Sequence, residues 1–193
     1  AMITKNALIA RDADLLGVMA EFDGAMACVS ITTLDNALAA KMEPRASSPA
    51  ARLGAVRALA DAGVPVGVLV APVVPGINDH EILPILKAAG EHGATFAGYV
   101  PLRLPYGIKD LFADWLARHF PDRKDKVLNR VMDLRGGKLN DANFFSRMQG
   151  EGPFAQYISN LFTVACRKAG LNQKRVKLSA EHFRRFGGES LFG

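Results

Sequence analysis

Ala27-Cys28-Val29-Ser30-Ile31-Thr32-Thr33 and, further along, Pro65-Val66-Gly67-Val68-Leu69-Val70-Ala71-Pro72 are the two stretches whose reading decides the fold. The first is an apolar strand whose far end turns to hydroxyls. The second is apolar throughout, which predicts a parallel strand covered on both faces. Between them, Ser48 is placed to cap a helix with Pro49 at its first position, Leu53, Val56 and Leu59 on one face, and Gly63 past its end. A turn, Pro75-Gly76-Ile77-Asn78-Asp79, follows the second strand. Ligands of α/β folds sit at the C-terminal ends of parallel strands, so the hydroxyl-bearing end of the first stretch marks a candidate site.

Outward from this pair, Ile3-Thr4-Lys5 reads as a short strand. Arg11 to Phe22 carries Leu15, Leu16, Val18 and Met19 at helical spacing after Asp12, a candidate N-cap. Downstream, Asn78 or Asp79 is placed to cap a helix holding Ile82, Leu83, Ile85 and Leu86, closed by Gly90 and Gly93. Thr95 to Val100 is a fourth strand. The alternation predicts a parallel, right-handedly wound sheet. After Pro105 the pattern turns helical, over Asp110–Phe120, Asp122–Leu134, Asp141–Met148 and Pro153–Ala169. Residues 172–193 are basic, weakly patterned and read as a flexible tail.

The 193 residues suffice for one domain with a real core, and no apolar run approaches the length of a membrane span. The chain opens without a basic-plus-apolar leader, and its two cysteines, Cys28 and Cys166, stand far apart. Both features predict a cytoplasmic protein with reduced thiols and no membrane partner. Charge is lopsided. Residues 1–100 hold seven Lys/Arg against ten Asp/Glu, and residues 101–193 hold seventeen against nine. A basic half suits a polyanionic partner such as nucleic acid, and equally an ordinary solvated helical surface. The four histidines are scattered without metal-ligand spacing, so no metal site is expected from them.

Val29-Ser30-Ile31-Thr32, Glu43-Pro44-Arg45, Ser48-Pro49-Ala50-Ala51-Arg52-Leu53 and Val70-Ala71-Pro72-Val73-Val74-Pro75-Gly76 occur in an order and spacing that resembles radical S-adenosylmethionine (radical SAM) proteins, within them the spore photoproduct lyase-like group. The resemblance runs from Ile3 to about Leu171. It implies an α/β fold in the form of a partial (β/α) barrel, about four parallel strands with flanking helices over residues 2–105. A helical C-terminal extension of the same domain (106–171) and the basic tail (172–193) follow. Ile3-Thr4-Lys5 matches the third strand of such a barrel, so the chain is expected to be the C-terminal part of a longer enzyme. The family's CxxxCxxC loop, which holds a [4Fe-4S] cluster, has no counterpart here. Cys28 and Cys166 cannot replace it, because a cluster needs about three or four convergent thiolates.

The resemblance implies S-adenosylmethionine as cofactor, cleaved in the complete enzyme to a 5′-deoxyadenosyl radical that abstracts hydrogen from a substrate. Expected cofactor contacts are Lys5, which resembles a cofactor-binding lysine of lyase-like relatives, and Ser30 and Thr32 toward the sugar or methionyl part. Arg52 is expected at the carboxylate, for which its guanidinium offers a rigid fork. Ala71 and Pro72 are expected against the adenine. As plain residues, Ser30 and Thr32 are also strand fillers, Lys5 a surface cation, and Arg52 an exposed helix arginine or a local partner of Glu43. Tyr99 and Arg103 are candidate substrate contacts, since Tyr can stack on a base and Arg can bind phosphate. They also fit an amphipathic strand end. No catalytic residue is assigned. The competing expectation is a non-catalytic nucleic-acid-binding module built on a barrel remnant. Ile3-Thr4-Lys5 is expected to form an exposed apolar edge, suited to self-association or to pairing with an N-terminal half. Ser190-Leu191-Phe192 weakly resembles peptides that dock on sliding clamps.

Overall fold

The computed structural model describes residues 1–139 and 150–183. The expected helix Asp141–Met148 and the Ser190-Leu191-Phe192 segment lie outside the described residues. Four strands form one parallel sheet in the order β1 (Met2–Thr4), β2 (Ala27–Ser30), β3 (Val66–Val73), β4 (Phe96–Pro101). Each strand therefore lies beside its sequence neighbour, and β1 and β4 are the edges.

Seven α-helices connect and follow the strands: α1 (Ala13–Ala20), α2 (Asn36–Met42), α3 (Pro49–Asp61), α4 (Ile82–Glu91), α5 (Ile108–His119), α6 (Lys124–Asp133) and α7 (Gly152–Lys168). The start of α3 is as expected, with Ser48 Oγ accepting the Ala51 N–H at 3.3 Å and Pro49 at the first position. The expected single helix Arg11–Phe22 is instead a 3-10 turn, Ala7–Asp12, capped by Asn6, followed by α1. Asp12 caps nothing. Its carboxylate takes Arg11 Nε at 2.8 Å, so the local ion pair replaces the cap. Helix α2 has no counterpart among the expected elements; its cap is Asp35, which accepts from the N–H groups of Ala37 (2.7 Å) and Leu38 (3.4 Å).

The sheet is not covered equally on its two faces. Val66, Val68 and Val70 point into the main core with Val29, Ile31, Val56, Leu59, Ile85, Leu86, Ile158 and Phe162, under α3, α4 and α7. On the opposite face Leu69 and Ala71 are half-buried and Ile3 is 68% exposed. The expectation that β3 is covered on both faces is thus corrected. Its apolar character there comes partly from packing within the sheet: Phe96 of β4 lies over Gly67, and a β-carbon at Gly67 would come within 2.2 Å of that ring. The helices touch one another in sequence, α1 on α3, α3 on α4, α4 on α7. A second core of Leu38, Val74, Ile77, Leu102, Leu104, Leu116, Val127 and Val131 fastens α2, α5 and α6 around the loops that leave the strands. Residues 172–183 contain no helix or strand, yet they dock. Asn172 bonds both the N–H (2.9 Å) and the carbonyl (3.1 Å) of Ala97 on the outer edge of β4, and Ser179 N–H reaches the Asp23 carbonyl at 2.9 Å. No described helix is long and apolar enough to cross a membrane.

Candidate functional site

Pro72 has no N–H to donate, and the β3–β4 register shifts between Val70 and Val73. The Ala71 carbonyl there serves the C-terminal ends of the neighbouring strands. It accepts from Lys5 Nζ at 3.1 Å and lies 2.9 Å from Thr32 Oγ1 and 3.4 Å from Ser30 Oγ, whose single hydrogens have Glu43 and the Leu69 carbonyl as their other acceptors. Three residues distant in sequence are thereby gathered around one backbone oxygen.

A cavity of about 450 Å³ opens at this end of the sheet on its less covered face. Lys5, Ser30, Ala71, Pro72 and Arg103 all line it, with Ile3 and Leu69 as its apolar floor. Ser30 Oγ directs its hydrogen at the Leu69 carbonyl (3.2 Å) or the Ala71 carbonyl, which leaves its lone pairs to accept from a ligand. On the far side of Lys5 lies a second cavity of about 400 Å³, lined by Thr4, Lys5, Asn6 and Glu43–Ala46.

Behind Lys5 stands a charged triad. Glu43 pairs through Oε1 with Lys5 Nζ, and through Oε2 with Arg52 Nη2 at 2.7 Å. Thr32 Oγ1 lies 2.7 Å from Oε1. Arg52 also donates to the carbonyls of Ser47 (Nε, 2.8 Å) and Ser30 (Nη1, 2.9 Å). Burial alone would push the Glu43 carboxyl up. Hydrogen bonds from Lys5, Thr32 and Arg52, with the charge of Lys5, overcome that and hold it below its ordinary value.

The structure places three of the expected contacts away from this cavity. Arg52 is 1% exposed, and the carboxylate in its fork is the protein's own Glu43, so it supports the site from behind. Thr32 is fully buried and does not line the cavity; its hydroxyl belongs to Glu43 and the Ala71 carbonyl. Tyr99 lies away from Arg103. Its ring packs on Phe162 at 4.7 Å and lines a different cavity, of about 620 Å³, with Gly98, Glu151, Gln156 and Ser159.

Asn78, expected as a helix cap, is wholly buried and ties the two loops of the site together. Its Nδ2 donates to the Thr32 (2.7 Å) and Pro72 (2.9 Å) carbonyls, and its Oδ1 accepts the Val74 N–H at 2.6 Å. Glu81 does the same for the loop after β2, accepting from Thr33 Oγ1 at 2.6 Å and the Leu34 N–H at 2.7 Å. No local signal marks either role. The thiols are inert by burial. Cys28 and Cys166 are both buried, and desolvation raises each thiol to about 11. They sit on β2 and α7 respectively. Among the described residues no group of three His, Cys, Asp or Glu is arranged to hold a metal ion.

The fold and cavity define a class: an α/β protein with a ligand-sized cavity at the C-terminal ends of parallel strands. No family model matches the chain. Among curated proteins it is similar to an uncharacterized protein of Mycobacterium tuberculosis, 32% identical over 126 residues, which is 63% of this chain and 36% of the relative. An uncharacterized protein of Mycobacterium bovis matches to the same extent, 32% over 126 residues. An uncharacterized protein of Acidianus two-tailed virus is 42% identical over 72 residues, 37% of this chain and 23% of its own length. The match thus spans about a third of the length of the mycobacterial relatives (36%).

Proposed function

We propose that this chain is the C-terminal portion of a radical SAM enzyme of the spore photoproduct lyase-like group, and that it binds S-adenosylmethionine and positions a substrate. The observation that carries the reading is the convergence of Lys5, Ser30, Ala71, Pro72 and Arg103, from the ends of all four strands, on one cavity of about 450 Å³. Four of these five are residues that the resemblance implies for the cofactor. A partial (β/α) barrel is the finer fold we assign. Its support is the sequential strand order, the row of successively touching helices on one face, and the less covered opposite face.

The donors present fit S-adenosylmethionine. Ser30 Oγ can accept from a ribose hydroxyl, Lys5 can meet the methionyl carboxylate, and the Ala71-Pro72 corner and Leu69 offer apolar contact to a purine. Arg103 would face the substrate side. By family resemblance, cluster and cofactor together supply the radical that starts the reaction. Cys28 and Cys166 do not fit the cluster, being buried on separate elements, so its ligands would come from elsewhere in a longer protein. This chain's share is orientation and exclusion of water. The open edge of β1 would pair with that missing part.

Calorimetry with S-adenosylmethionine tests the reading. Binding should be weak and saturable, because the cluster normally holds the amino and carboxylate groups, and Ser30→Ala should weaken it about tenfold further. Tight binding indifferent to Ser30 sinks the cofactor assignment. A longer chain carrying a CxxxCxxC loop upstream should bind iron and sulfide and release 5′-deoxyadenosine on reduction, whereas the 193-residue chain should do neither. The alternative, a non-catalytic nucleic-acid-binding module, draws on the basic half. On α5, α6 and the 3-10 turn between them (Pro121–Arg123), however, exposed Lys109, Arg118, Arg123 and Lys126 are interspersed with exposed Asp110, Asp114, Asp122 and Asp125. Salt-dependent duplex DNA binding without affinity for S-adenosylmethionine would favour that reading.

A further inference from the structure

Glu43 contacts groups that follow β1 and β2 and a third on α3: Lys5, Thr32 and Arg52. Lys5 lines both cavities, so its ammonium stands at their junction. That ammonium has three hydrogens. Its partners are Glu43, the Ala71 carbonyl at 3.1 Å and, at the long limit of 3.5 Å, Thr32 Oγ1. Two good acceptors thus leave one hydrogen weakly used beside the cavities. The charges point the same way, since two cations share one carboxylate and the cluster keeps a surplus positive charge. Arg52, with 2% of its side chain exposed, pins Glu43 from behind. Glu43 is therefore a fixed anchor, whereas Lys5, at 40%, is accessible.

We infer that Glu43 is a positioning residue, which holds the Lys5 ammonium at the junction of the two cavities to receive the single carboxylate or phosphate of a ligand. For the identity of the ligand, this rests on the proposed S-adenosylmethionine site. The anchor works without Glu43 touching the ligand: it takes one ammonium hydrogen, the Ala71 carbonyl takes another, and the third is left for the anion. A neutral ligand in the same cavity should not sense the change.

The test compares S-adenosylmethionine with 5′-methylthioadenosine, which keeps the nucleoside and lacks the carboxylate. By calorimetry, Glu43→Gln and Lys5→Met should each weaken S-adenosylmethionine about tenfold, the double variant no further, and 5′-methylthioadenosine by less than about twofold. Equal weakening of both nucleosides would reveal a merely structural role, and additive effects would deny the coupling; either overturns the inference. A second readout needs no nucleoside. With lysines carrying ¹³C at Cε, which leaves the ammonium intact, acetate should shift the Lys5 signal saturably in the wild type and not in Glu43→Gln. If the wild type binds neither nucleoside but this acetate contrast holds, the cofactor reading fails and the role of Glu43 stands. Should acetate act alike in both proteins, or in neither, the inference is wrong.

Discussion

Arg52 Nη2 donates to Glu43 Oε2 at 2.7 Å, with 2% and 10% of the two side chains exposed. A guanidinium at the first turn of α3 thus neutralises a carboxylate nine residues earlier, beneath the loop that leaves β2. It also bonds the Ser30 and Ser47 carbonyls. Removing it leaves Lys5 as the remaining charged partner of the 10% exposed Glu43 and two carbonyls short of a donor. Arg52→Ala should therefore cost about 3 kcal/mol of stability. Urea unfolding would show this as a lower midpoint at unchanged slope. A loss under about 1 kcal/mol would mean that water replaces the guanidinium freely.

The same pair sets a pH dependence. Glu43 is held below its ordinary value near 4.5, so it binds fewer protons folded than unfolded there. Its contribution is complete above about pH 4.5 and fades as pH falls through the depressed folded value. Comparing wild type with Glu43→Gln from pH 7 to pH 3, the wild-type advantage should be constant down to that boundary and then shrink. A constant advantage throughout would show that the carboxylate is not the titrating element.

The edge of β1 should be adhesive. Met2 and Ile3 are exposed at 39% and 68%, and Leu8, Leu15, Val18 and Met19, on the segment that follows in sequence, are at least half exposed. An unprotected strand edge beside such a patch favours association. Light scattering should show concentration-dependent oligomers, and Ile3→Lys should shift them toward monomer. Strictly monomeric behaviour of the wild type at high concentration would contradict this.

Neither thiol should react readily. Burial raises Cys28 and Cys166 to about 11, so at pH 8 both are protonated as well as shielded. A disulfide reagent should label fewer than one thiol per chain within minutes under native conditions and two after denaturation. Fast native labelling would place at least one of them in a more open setting.

Much of the scaffold could be read from local pattern. The Ser48–Pro49 start of α3, the strands around Val29 and Val68, and the helices α5, α6 and α7 follow from propensity, capping and periodicity over a few residues. The departures at Asp12 and Asn78 share one cause. Each side chain suits a helix cap, and whether it caps is decided by a competing partner: Arg11 for Asp12, and two distant carbonyls for Asn78.

By itself, the sequence determined the parallel α/β character of this protein and the clustering of polar groups at the strand ends, since both depend on residues within a few positions of one another. Tertiary structure alone decided which of those groups face a cavity. The register of β1, β2 and β3 brings Lys5, Thr32 and Ala71 together, and the packing of α3 turns Arg52 onto Glu43. A side chain's direction fixes its possible partners, but desolvation and pairing with residues 9 to 41 positions away decide which partner it takes. Ser30, itself only 2% exposed, and Lys5 line the cavity, while Thr32 and Arg52 lie behind it.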